Sequence, residues 1–307
     1  MFKQTVTTLT LVTVATMAPA LASDKHLQQP VIDSVISMPV GHFFGNLSYK
    51  NEQELIATDY TGQSLYKYNE QGQASLWAKV DGHPVSIRFD ENGEGLLSVH
   101  ELSIMAGADF LNHMVLYKVS AQGELTRLVD LDTPAFLNGM VYLEKQQYLI
   151  ADAAMGKIYS FDMNSNKLSL WLDDEALKPM QERPGLPGVN GIQLYEGAIY
   201  FTNSAQQTLG KITLDNHQVA KVEIIETGIQ ADDFIINEQG DWFITTHHNE
   251  IIKFTAEKKK SVVLDHGIEG NTAIQMSKQD KGYFYITNDG GLLFGGKNNA
   301  GLHKVKL

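Results

Sequence analysis

Six short runs of β-forming residues recur along this chain at a nearly constant interval. They are Leu55–Asp59, Leu96–His100, Tyr148–Asp152, Ile199–Asn203, Trp242–Thr246 and Phe284–Asn288, and their last positions lie 41, 52, 51, 43 and 42 residues apart. A period of about 46 residues is that of a propeller-blade repeat. Most runs are followed by a turn and a second apolar stretch, such as Leu65–Tyr68, Val115–Lys118 or Ile158–Phe161. Another turn then leads to a further stretch, such as Ala74–Lys79 or Leu125–Asp130. Four hairpin-linked strands per unit make a blade. Helical periodicity is nearly absent, and only Asp173–Met180 suggests a short helical turn. The expected fold is all-β, a six-bladed β-propeller of four-stranded antiparallel blades. A single large β-sandwich, the main alternative, does not generate six units of such regularity. The sixth unit runs out after a third strand, Leu302–Leu307, and the stretch Val31–Met38 is the expected source of its fourth. The ring would then be closed by strands from both ends of the chain, which removes an exposed sheet edge.

The 307 residues carry a net charge of −12, which argues against nucleic acid as a partner because that role needs a basic face. With no cysteine, disulfides, thiolate metal sites and a Cys nucleophile are excluded, so stability must come from core and closure. Lys3, the apolar run Val6–Met17 and the small-x-small triplet Ala20-Leu21-Ala22 have the form of a cleavable secretory signal over residues 1–22. The apolar run falls short of the ~20 residues that span a bilayer. The expected mature chain, Ser23–Leu307, is one exported domain, periplasmic or secreted, with no membrane attachment after cleavage.

The repeat also aligns polar residues. Leu137-Asn138-Gly139-Met140 is echoed 52 residues later by Val189-Asn190-Gly191-Ile192, and 42 residues further on by Ala231-Asp232-Asp233-Phe234. Counting back 13 or 14 residues from each strand end selects Gly45, Ser86, Asn138, Asn190 and Asp232, with Asn271 or Thr272 in the sixth unit at a slightly longer count. In a propeller the first strand of each blade lines the central channel, so equivalent residues at its start converge on one volume. Asn and Asp there would offer the oxygen ligands that hard cations take. An isolated Asn-Gly more commonly marks a hairpin turn. Here the run Met140–Leu143 already has a turn at Glu144–Gln147, and the third copy keeps the oxygen while losing the turn chemistry.

On these residues the chain resembles the senescence-marker protein (regucalcin) and gluconolactonase family of six-bladed propellers, in a secreted, lactonase-like form. The likeness covers most of the mature chain and is strongest from Phe136 to Gly291, including Pro187–Ile192, Tyr200–Ser204 and Asp232-Asp233-Phe234. The resemblance implies one divalent cation, usually calcium, in the channel and hydrolysis of sugar lactones or other esters. It implies Asn190 and Asp232 as metal ligands and Asn138 as a substrate or metal-water ligand. The family's blade-one glutamate has no counterpart, because Gly45 stands in its place. Asp233, His42 or another nearby residue could substitute, a weak metal site with extra waters could persist, or the site could hold no metal and serve as a binding pocket.

The expected function is therefore metal-assisted hydrolysis of a small lactone or ester, with Asp232 or Asp233 as general base. Arg88, His100 and His247 join Asn138 as candidate substrate contacts, from their positions at or beside the channel strands. No Gly-x-Ser-x-Gly elbow is present. The missing glutamate supports the alternative, a non-catalytic propeller that binds a small ligand or a protein partner through its channel. Specificity is expected in the loops Gly107–His113, Met180–Gly188 and Leu292–Ala300.

Overall fold

The computed structural model describes residues 30–215 and 218–307, so the expected leader lies outside the described residues. Six four-stranded antiparallel sheets are each ordered from an inner to an outer strand. The inner strands are Phe44–Tyr49, His83–Phe89, Leu137–Tyr142, Val189–Tyr195, Phe234–Ile236 and Asn271–Met276. Each contacts the next and the sixth contacts the first, which closes the ring of a six-bladed propeller. The sixth blade takes its outermost strand from Val31–Met38, paired antiparallel with Ala300–Lys306. Among the described residues the only helical segments are four 3-10 turns, one of them Glu175–Leu177 inside the stretch expected to turn.

The recurring runs are the second strands. They fail to alternate because both faces are covered by neighbouring blades: all six residues of Gly95–His100 are buried. By contrast, the outer strand Gln73–Lys79 is largely exposed. The core therefore sits between blades, for example Ile56, Leu65, Ile87 and Leu97 between the first two.

A hydroxyl device repeats around the ring. Thr202 Oγ1 accepts from the Gly191 amide at 2.9 Å and donates to the Asp232 carbonyl of the next blade at 2.8 Å. Thr58 does the same with the Asn46 amide and Val85 carbonyl, Ser98 with Ser86 and Leu137, and Thr245 with Asp233 and Thr272. In blade six Thr272 itself donates to the Phe44 carbonyl at 2.6 Å. In blades one, two, four and six these bonds coincide with a register shift at the start of the inner strand; blade three has the shift but carries Ala151 in place of the hydroxyl. A bulge re-aims side chains, and here it turns the blade-start residues toward the channel mouth.

Candidate active site

A cavity of about 430 Å³ opens at that mouth, within the range of small-molecule sites. Its floor is a chain of polar side chains crossing four blades. Asn138 Nδ2 donates to Asn190 Oδ1 at 2.5 Å, and Asn190 Nδ2 donates to Asp232 Oδ1 at 2.5 Å and to Ser204 Oγ at 3.0 Å. Asp232 Oδ2 lies 2.9 Å from His247 Nδ1, and His247 Nε2 lies 3.3 Å from Asp289 Oδ2. Asp289 is fully buried and also accepts from the Gly291 and Leu293 amides.

The glycines of the two Asn-Gly pairs have a packing role, and neither adopts a left-handed φ. A Cβ at Gly139 would lie 2.1 Å from the Asn190 carbonyl oxygen, and one at Gly191 would lie 2.7 Å from Asp233 Oδ1. Inner strands approach this closely only without side chains. Gly139→Ala is therefore expected to destabilise the fold by about 3 kcal/mol, the upper range for overpacking against backbone that cannot move aside. Equilibrium unfolding in urea measures this, and a cost below about 1 kcal/mol would contradict the close approach.

His247 is held at φ 61°, an uncommon conformation for a side-chain-bearing residue, with its amide bonded to the Asn271 carbonyl. Burial opposes its charge, but the hydrogen bond and charge of Asp232, and then those of Asp289, prevail and raise its pKa to about 10. It is an imidazolium clamped by two carboxylates. Asp233, beside Asp232 on the cavity wall, is pushed up to about 7. Burial causes this rise, against the Phe234 amide and the Arg88 charge, which pull it down.

Asn138, Asn190, Asp232, Asp233 and His247 all line the cavity, as does Gly45. Two other candidates stand elsewhere. Arg88 lies deeper, its Nε bonded to the Met140 carbonyl at 2.9 Å. His100 is fully buried behind Phe110 and Phe136, with Nδ1 3.1 Å from the Tyr60 hydroxyl, and burial lowers its pKa to about 3. In blade two the bulge brings Val85 to the cavity and buries Ser86, and in blade six Thr272 rather than Asn271 reaches it. Asp289 escaped the count because it lies one residue beyond the aligned strand end.

The donor set is a poor fit to calcium. Both oxygens of Asp232 already accept, from Asn190 and His247, and the blade-one position is a glycine. His42, a possible substitute, is bound to Asp59 at 2.7 Å. Among the described residues no group of three or more His, Asp and Glu is placed to hold a metal ion.

Solved structures share this fold. The chain is similar to a luciferin-regenerating enzyme (13% identity, TM-score 0.68, covering 91% of this chain and 95% of that one). It is also similar to a gluconolactonase from Xanthomonas campestris (11% identity, TM-score 0.66, covering 91% and 89%). A third likeness is to a streptogramin B lyase (12% identity, TM-score 0.61, covering 90% and 97%). At such low identity the likeness shows the architecture alone. No protein-family model and no curated protein matches the chain.

Proposed function

We propose that this chain is a hydrolase of a small lactone or ester, working at the floor of the channel mouth with its own side chains. The observation that carries the reading is the clamped His247 standing on the same cavity wall as Asp233, a carboxyl with a pKa of about 7. A pKa near working pH suits a general base. Asp233 would take a proton from water as the resulting hydroxide adds to the substrate carbonyl carbon. The second Nδ2 hydrogen of Asn138, beyond the one given to Asn190, would orient the carbonyl. When the ring or ester C–O bond breaks, the departing alkoxide would take the His247 Nε2 proton, displacing it from its longer 3.3 Å contact with Asp289 while Asp232 holds Nδ1. The resemblance to gluconolactonases, one of which is among the similar structures, supports the reaction class. The leader expected from the sequence would place the activity in the periplasm or medium.

The cation that the resemblance implies would need Asn190 and Asp232 to give up their present bonds, so we assign the site's positive charge to His247. A non-catalytic channel is the second reading, and Gly45 in place of a carboxylate favours it. A panel of lactones and esters separates the two. Hydrolysis is expected to rise with pH through about 7, as Asp233 loses its proton. It should drop about a hundredfold or more in Asp233→Asn, the lower range for general-base removal. Calcium or a chelator should leave both rate and melting temperature unchanged. No turnover of any substrate, or an unaffected Asp233→Asn, would sink the hydrolase. A calcium-induced rise in melting temperature would restore the metal site.

A further inference from the structure

The wall above the polar floor is greasy. Among the described residues eleven large hydrophobic side chains are exposed, and four of them, Met105, Leu186, Leu293 and Phe294, line this one cavity. Five of the other seven stand singly on the outer strands of five different blades. The four come from three separate loops, which follow the second strand of blade two, precede blade four and follow the second strand of blade six. Phe110 and Phe136 continue the same wall, edge to face with ring centroids 5.9 Å apart. Phe294 reaches down to His247, its ring 5.8 Å away.

The polar groups below are engaged with one another. Ser204 is bonded to Asn190 and the Ala231 carbonyl, Thr246 to the Glu250 carbonyl and Thr272 to the Phe44 carbonyl. A polyhydroxylated sugar ring placed here would lose water and find few partners, and unpaired buried hydroxyls are costly. An alkyl or aromatic group would instead cover the exposed side chains. Contiguous apolar surface of this kind marks a binding site, and its concave shape suits a small molecule rather than a protein surface.

We infer that the substrate is amphiphilic, with an ester or lactone head on the Asn138–His247 floor and an alkyl or aromatic tail against the Met105, Leu186, Leu293 and Phe294 rim. This rests on the hydrolytic reading above, and narrows it away from sugar lactones.

The test is a series of γ-lactones with alkyl side chains from ethyl to decyl, beside δ-gluconolactone, assayed with the folded wild-type protein. The matching lactams, which resist hydrolysis, are titrated in parallel by calorimetry. Specificity, as kcat/KM, and lactam affinity should both rise about fourfold per methylene until the cavity fills. δ-Gluconolactone should fall at least about a hundredfold below the best alkyl lactone, as that slope compounds over a few methylenes. Phe294→Ser combined with Leu293→Ser should flatten the slope for the longer tails. Val262→Ser, at an equally exposed outer-strand position, should not. Flat lactam binding, or a preference for δ-gluconolactone, would overturn the inference even if lactones are hydrolysed. Rising lactam affinity without turnover of any lactone would uphold the apolar site while removing the hydrolase.

Discussion

Removing the closing strand, by starting the chain after Val40, should lower the melting temperature by about 10 °C or more, or leave no cooperative transition. Val31–Met38 pairs with the last strand across seven residue pairs from Val31–Lys306 to Met38–Ala300. It buries Ile36, and Ile32, Val35 and Met38 pack partly against the cores beside blades one, five and six. Burial of one full and three partial aliphatic side chains stabilises by roughly 5 kcal/mol, against a total domain stability of about 5–15 kcal/mol. For a domain this size, each kcal/mol moves the midpoint by about 2–4 °C. The loss also exposes the edge of Ala300–Lys306, so aggregation should accompany it. Ile36→Ala in the intact chain should cost about 2–4 kcal/mol by cavity formation alone. Calorimetry on both proteins decides the matter, and a truncated chain melting within about 2 °C of the intact one would mean that the ring is held without its closing strand.

That closure was legible in the sequence because a six-unit count left one strand missing from the last unit and one spare strand near the start. The blade-start residues were legible for a related reason. Fixed phase in a closed repeat becomes a fixed height around the channel, so Asn138, Asn190 and Asp232 met as the spacing implies. Two kinds of feature were harder to see. A bulge shifts facing by one residue, so in blade two the count selects Ser86 while Val85 reaches the cavity. His247 and Asp289 lie in a second ring of positions, one residue past each second strand, which also contains Tyr60 and Ser204. Reading that phase would have placed His247 against Asp289, since each directly follows its strand end. The strand-end residues themselves have local work: Asp152 Oδ1 accepts from the Phe136, Ala154 and Met155 amides, and Asn203 Oδ1 from Gln206. The Thr hydroxyls that tie one blade to the next recur as the penultimate residue of four runs, at Thr58, Thr202, Thr245 and Thr287, whereas Ser98 stands one position earlier and blade three has Ala151. Their partners are backbone groups of the following blade, and only the fold identifies those.

The clamp on His247 should make the domain less stable as the solution becomes alkaline. The imidazole pKa is lifted from its ordinary 6.5 to about 10, so the fold favours the protonated ring. Its contribution is fully present below about pH 6.5 and is lost as pH rises through about 10. At about 1.4 kcal/mol per unit of difference, with some of the gain shared with Asp232 and Asp289, the contribution is on the order of 3 kcal/mol. Asp233 acts in the same direction over a lower window. Its carboxyl is raised from 3.8 to about 7, so the stability tied to its proton is complete below 3.8 and disappears as pH rises through 7. Denaturant midpoints measured across pH should therefore fall in two overlapping steps. Asp233→Asn should erase the lower step and His247→Gln the upper. His247→Gln should be about 3 kcal/mol less stable than the wild type near pH 6, because it leaves Asp232 and the buried Asp289 facing each other without a cation. The two proteins should converge above about pH 10, where the wild-type ring has lost its proton as well. Parallel curves for wild type and His247→Gln would mean that the ring is neutral between its two carboxylates, and with it would go the proton that His247 is assigned to give the leaving alkoxide.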